Sequence, residues 1–164
     1  MFRQSEGDDA MTETKAPERI KEFSGYAVFL AGSIEMGAAE NWQEQATRVL
    51  LSQGCHVLNP RRDDWDSSWV ESISNRQFRE QVEWELDFLD ACQCILLYFS
   101  PGTKSPISLL ELGLYARTGK LVVCCPDGFW RKGNVEIVCA RYHIPLVTEL
   151  DKALEHVLNR ARSD

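Results

Sequence analysis

From residue 26 onward, short apolar runs alternate with longer stretches in which apolar residues recur every three or four positions. Tyr26-Ala27-Val28-Phe29-Leu30-Ala31 is apolar at successive positions, the pattern of a strand buried on both faces of a parallel sheet. Gly32-Ser33 ends it. The next stretch, 39–53, sets Trp42, Ala46, Val49 and Leu50 on one side at helical spacing and closes at Gly54. Cys55-His56-Val57-Leu58 predicts a second strand, ended by Asn59-Pro60. A polar loop follows over 61–74, and then a helix over 75–91 with Phe78, Val82 and Leu89 as its apolar stripe. Strands are predicted at 94–99, 121–125 and 144–147, and helices at 106–118, 134–142 and 149–162. Residues 1–22 show neither period and read as a disordered polar tail, which leaves 23–164 as the folded unit.

Five strands alternating with five helices predict one α/β domain with helices on both faces of a parallel sheet. The expected arrangement is a doubly wound, flavodoxin-like fold with strand order 2-1-3-4-5. In such sheets ligands bind beyond the carboxyl ends of the strands, where the order reverses. That rule gathers Gly32-Ser33, Asn59 and its loop, and Ser100 to Ser105 at one edge.

Composition narrows the partners. The chain of 164 residues carries a net charge of −7, which disfavours a nucleic-acid duplex or an anionic membrane as partner. No apolar stretch is long enough to span a membrane, and the amino terminus lacks an apolar signal core. The six cysteines sit mostly in apolar runs without metal-ligand spacing, so they read as buried reduced thiols of a cytoplasmic protein. His56, His143 and His156 form no triad, and no metal site is suggested.

Two carboxylates stand out. Glu111 lies among apolar neighbours, Leu109-Leu110-Glu111-Leu112, at the start of the helix after the third strand. Poor solvation raises a carboxylate's pKa, and a helix amino terminus offsets that; such a group suits a nucleophile or general base. The other reading is a capping box, Ser108-x-x-Glu111. Ser105-Pro106 is the better helix start, with Ser as cap and Pro in the first turn, and it puts Glu111 in the second turn. Glu85 shares the face of Val82 and Leu89, as either half of an ion pair or a general acid beside Glu111.

The loops offer recognition chemistry. Ser105, at a helix start, suits either capping or an anion such as phosphate. No Walker-type or Gly-x-Gly-x-x-Gly run is present. In the loop after the second strand, Trp65 and Trp69 can stack on a base, or else pack the loop on the domain or form a subunit interface. Arg61 or Arg62 can hold a phosphate or fix a carboxylate, and Asp64 or Asp66 can bond sugar hydroxyls or base edges.

Three elements, Phe29-Leu30-Ala31-Gly32-Ser33, Glu85-Leu86-x-x-Leu89-x-x-Cys92 and Leu110-Glu111-Leu112-Gly113-Leu114-Tyr115-Ala116, resemble the nucleoside 2-deoxyribosyltransferase family, which includes deoxynucleoside 5'-monophosphate N-glycosidases. The resemblance covers about residues 26–125. It implies a retaining mechanism in which Glu111 attacks the anomeric carbon of a nucleoside or nucleotide, with Glu85 at the position of the family's helix carboxylate. It also implies Gly32, Ser33 and Ser105 as substrate-binding residues, no cofactor, and assembly as a homodimer or larger oligomer. Glu85 replaces the usual Asp, Cys92-Gln93 replaces an Ala-Asp pair, and Gly-Ser-Ile-Arg of the glycosidase branch becomes Gly32-Ser33-Ile34-Glu35. Transferase, hydrolase and non-catalytic nucleotide-binding module remain the readings of function.

Overall fold

The structure, a computed structural model, describes residues 12–34, 41–62 and 64–164. Expectations for 1–11, for Glu35, for the first two residues of the 39–53 helix and for Asp63 lie outside the described residues. Six parallel strands form one sheet: β1 (Glu13–Lys15), β2 (Ala27–Gly32), β3 (His56–Asn59), β4 (Cys94–Tyr98), β5 (Leu121–Cys124) and β6 (Leu146–Val147). Their order is β1-β3-β2-β4-β5-β6, so the five expected strands keep the flavodoxin-like 2-1-3-4-5 order and an edge strand is added beside them. Five helices connect them: α1 (Trp42–Ser52), α2 (Arg76–Ala91), α3 (Pro106–Tyr115), α4 (Lys132–Arg141) and α5 (Leu150–Ser163).

Alternation along the central strands divides the core in two. Phe29, Ile95, Leu97 and Val123 face α2, α3 and α4, where Trp84, Phe88, Leu112, Tyr115 and Val135 cover them. Val28, Leu30, Leu96 and Val122 face α1 and α5, under Trp42, Ala46, Leu50, Leu154 and Val157. Burial on both faces is why these strands read as unbroken apolar runs. Each large side chain withdrawn from water this way, such as Leu30 or Ile95, stabilises the fold by roughly 1.5–3 kcal/mol.

Two expectations are corrected. The buried residues of α2 are Gln81, Trp84, Phe88 and Leu89, whereas Val82 is exposed and Phe78 half-buried. Trp84 turns the helix: its ring packs on Phe29 at 5.9 Å and Phe88 at 4.8 Å, and its indole N–H donates to the Glu18 carbonyl at 2.6 Å. An aromatic of that size outweighs the aliphatic stripe. Glu85 therefore stands at the flank of the buried face rather than in its middle. The second correction lies in the polar amino-terminal stretch: residues 13–15 form β1, paired with β3 in the register Glu13↔Val57 and Lys15↔Asn59. Only Thr14 of these three is buried, so no apolar alternation marks the strand. Thr14 is held by chemistry instead. The Ser24 amide donates to His56 Nδ1 at 3.1 Å, which leaves Nε2–H of His56 to donate to Thr14 Oγ1 at 2.9 Å. Burial lowers the pKa of this imidazole and keeps it neutral.

At the carboxyl end of β2, Gly32 takes φ +140°, and a Cβ there would run into the backbone of Tyr98 on β4. Only glycine lets the two strands close at this point. All six cysteines are free and buried. No helix among the described residues is long and apolar enough to cross a membrane.

Candidate active site

The reversal of strand order falls between β2 and β4, and there the structure gathers three hydroxyls. Ser33 Oγ accepts the Ser100 amide at 2.9 Å and lies 2.5 Å from Ser105 Oγ and 3.1 Å from Thr103 Oγ1. Thr103 Oγ1 donates to the Ser100 carbonyl at 2.8 Å and is 2.8 Å from Ser105 Oγ. Ser105 occupies the cap position of α3 with Pro106 next, as expected, but in a left-handed conformation (φ +45°) and without a side-chain bond to the first turn. Its hydroxyl turns to the cluster instead. The carbonyl of Ser33 accepts Trp42 Nε1–H at 3.0 Å, which fixes the turn after β2 from the α1 face.

The two carboxylates are carried by α2 and α3, which cover the face of the sheet opposite α1. Glu111 lies in the second turn of α3 and is 8% exposed; Ser108 is an interior residue of the helix, so the capping-box reading lapses. Burial raises the Glu111 pKa to about 8, and the like charge of Glu85 adds to the rise. Burial also raises the Glu85 pKa, to about 7, while a hydrogen bond from Gln81 opposes the rise. Gln81 Nε2 donates both to Glu85 Oε1 at 2.9 Å and to the Pro60 carbonyl, just past β3, at 3.0 Å. One tie joins α2 to α3, the Tyr115 phenol donating to Asp90 Oδ1 at 2.7 Å, and another joins α2 to the entry of β5, the Lys120 amine donating to the Leu89 carbonyl at 3.2 Å.

The remaining sequence candidates are spread more widely. Asn59 is buried, its amide donating to Glu13 at 3.0 Å and its Oδ1 accepting the Arg61 amide at 3.1 Å. Arg61 reaches Gln43 Oε1 at 3.4 Å, and Gln43 reaches the Ser33 carbonyl at 3.5 Å; this long relay links Arg61 to the hydroxyl cluster. Trp65 and Trp69 meet edge to face at 4.9 Å, and Arg62 lies 4.9 Å over Trp69 while paired with Asp64. Asp66 accepts the Ser68 amide at 2.8 Å. The described contacts of Trp65, Asp66 and Trp69 are thus local to their loop.

Sequence reasoning missed four participants. Thr103 had no periodic signal. Gln43 and Gln81 read as ordinary helix residues, although Gln81 stands four positions before Glu85, a spacing that places the two side chains together. Trp130 follows β5; its indole N–H donates to the Lys104 carbonyl at 2.9 Å, with the Lys104 amine 4.2 Å and the Arg131 guanidinium 4.5 Å from its ring. Two cavities are lined by other groups: one by Tyr26, Gln93 and Arg160, the other by Lys15, Arg48 and Arg61. Neither includes Glu85 or Glu111. Among the described residues no group of three or more His, Cys, Asp or Glu is placed to hold a metal ion.

A buried carboxylate, Glu111, that senses the charge of a half-buried one, Glu85, has the electrostatics of a nucleophile or an acid–base group. A family model described as Nucleoside 2-deoxyribosyltransferase like matches residues 25–129, a span that holds Ser33, Glu85, Ser105 and Glu111. No curated protein matches the chain.

Proposed function

The chain belongs to the nucleoside 2-deoxyribosyltransferase-like family, and we propose that it cleaves or transfers the N-glycosidic bond of a deoxynucleoside through a covalent glycosyl intermediate on Glu111. The observation that carries this reading is the pairing of buried Glu111, whose pKa is raised to about 8 by burial and by the like charge of Glu85, with half-buried Glu85, whose own is raised to about 7 by burial. Raised pKa values of this kind keep a proton available near neutral pH, and two carboxylates in differing environments can divide the roles of nucleophile and acid.

In the proposed reaction Glu111 attacks C1' as the bond to the base breaks and its electron pair passes to the base nitrogen. Positive charge developing on the sugar favours the ionised form of Glu111, and Glu85 in its protonated form supplies a proton for the leaving group. That proton reaches the departing base directly or through a water held by Glu85. A second base then takes the sugar in transfer, or water takes it in hydrolysis, by the two-step logic of retaining glycosidases. Ser33, Thr103 and Ser105 offer hydroxyls to the sugar or its 5' substituent. The residues of the site need no cofactor for these steps.

The proposal includes self-association. Ile107, Leu110 and Leu114 line one face of α3 and are more than half exposed, with Val82 and Leu86 exposed on neighbouring α2. Apolar residues at these spacings on adjoining helices suit burial against a second copy.

The test is a panel of nucleosides and 5'-monophosphates, with and without an acceptor base, followed by chromatography. Free base appearing without acceptor marks a hydrolase; exchange that requires the acceptor marks a transferase. Glu111→Gln is expected to lower either rate at least 1,000-fold, about 4 kcal/mol of barrier. Wild-type rates in that variant would remove Glu111 from the chemistry.

A further inference from the structure

Gln81 is 5% exposed, and its amide has an orientation that chemistry fixes. Its nitrogen lies 3.0 Å from the Pro60 carbonyl and 2.9 Å from Glu85 Oε1. A backbone carbonyl can only accept, so the NH2 group must occupy this position. The opposite flip would set two oxygens against each other. With both N–H groups used, Gln81 Oε1 faces elsewhere, and it is buried without a hydrogen-bond partner among the described residues. An unmet buried acceptor is costly, and native interiors retain few of them. This one belongs to the same amide that holds a carboxylate of the candidate site.

We infer that Gln81 Oε1 is a substrate-recognition group, which accepts a hydrogen bond from an N–H or O–H of the bound nucleoside. The inference rests on the proposed activity for the identity of the ligand. Two parts of a nucleoside supply such a donor: a hydroxyl of the sugar and an exocyclic amine of the base. Both satisfy the oxygen, and both are rejected when the donor is removed, because the acceptor is then left dry and unpaired. Gln81 thereby has two functions on one amide. Its nitrogen orients Glu85, and its oxygen selects for a donor.

Binding measured by calorimetry separates these functions. Deoxyadenosine is compared with its 3'-deoxy analogue and with purine deoxyriboside, which lacks the amine, on the wild-type protein and on Gln81→Leu. Loss of one donor is expected to weaken binding to the wild type at least tenfold, and the analogue that shows it names the donor. In Gln81→Leu that discrimination is expected to fall below threefold. A variant that weakens all three ligands by the same factor would show a merely structural glutamine and overturn the inference, as would a wild type indifferent to both deletions. Discrimination that depends on Gln81 without any cleavage would instead remove the proposed activity and leave the recognition role. Cleavage with discrimination untouched by Gln81→Leu would do the reverse, and absence of nucleoside binding would end both.

Discussion

Trp130 donates its indole N–H to the Lys104 carbonyl at 2.9 Å, which ties the turn after β5 to the loop that carries Ser100, Thr103 and Ser105. Phe129 anchors the same turn beneath, its ring 4.7 Å from that of Phe99. The Trp130→Leu variant removes the bond and the contacts with Lys104 and Arg131. It is expected to cost about 1–2 kcal/mol in urea unfolding and to lower kcat/KM at least tenfold by loosening the hydroxyl loop. A variant with full activity would show that the turn does not support the site.

Glu111 makes stability depend on pH in an unusual direction. Its folded pKa, about 8, is above the ordinary value of 4.5. Between these two pH values the folded protein holds a proton that the unfolded chain has lost, so stability falls as pH rises through the window. Glu85 adds a slope of the same sign up to about pH 7. Glu111→Gln should flatten much of this dependence and be more stable than the wild type above pH 8, by on the order of 2–4 kcal/mol. Thermal unfolding across pH 5 to 9 checks it; parallel curves for the two proteins would contradict it.

Gly32→Ala tests the closure between β2 and β4. The added methyl meets the Tyr98 backbone and requires a residue with φ +140° to carry a side chain. The expected cost is about 2–4 kcal/mol, together with displacement of Ser33 and loss of activity. A melting temperature within 2 °C of the wild type would show that the strands move apart freely (at roughly 2–4 °C per kcal/mol for a chain of this size).

Leu110→Glu places a charge in the exposed stripe of α3, on the side away from the buried Glu111. Light scattering is expected to show a dimer or larger species for the wild type and a monomer for the variant, with secondary structure unchanged. A monomeric wild type would withdraw the assembly.

The legibility of the chain differs by element. β2, β4 and β5 are buried on both faces, so their apolar runs announce them, and with them the strand order and the edge where Ser33 and Ser105 meet. β1 is held by pairing and by the Thr14–His56 bond, neither of which leaves a hydrophobic period. The rotation of α2 depended on which large side chain, Trp84 or Val82, would win the interior, and that is decided by packing against Phe29. Glu111 was legible because a carboxylate among leucines is costly. Gln81 was not, because an amide four residues from a carboxylate carries no cost until both are buried.

The short edge strand has a consequence for the protein's behaviour in a crowded solution. Without β1, the apolar strand β3 would border the sheet and offer its backbone to any extended chain that met it. With β1 in place, the border is a three-residue segment that begins with Glu13 and ends with Lys15, and the far border, β6, is two residues long. Both are too short for a foreign strand to seat more than a few hydrogen bonds. The polar amino-terminal stretch thus guards against sheet-to-sheet aggregation, and proteolytic loss of residues 13–15 would open the edge of β3 to pairing with a foreign strand.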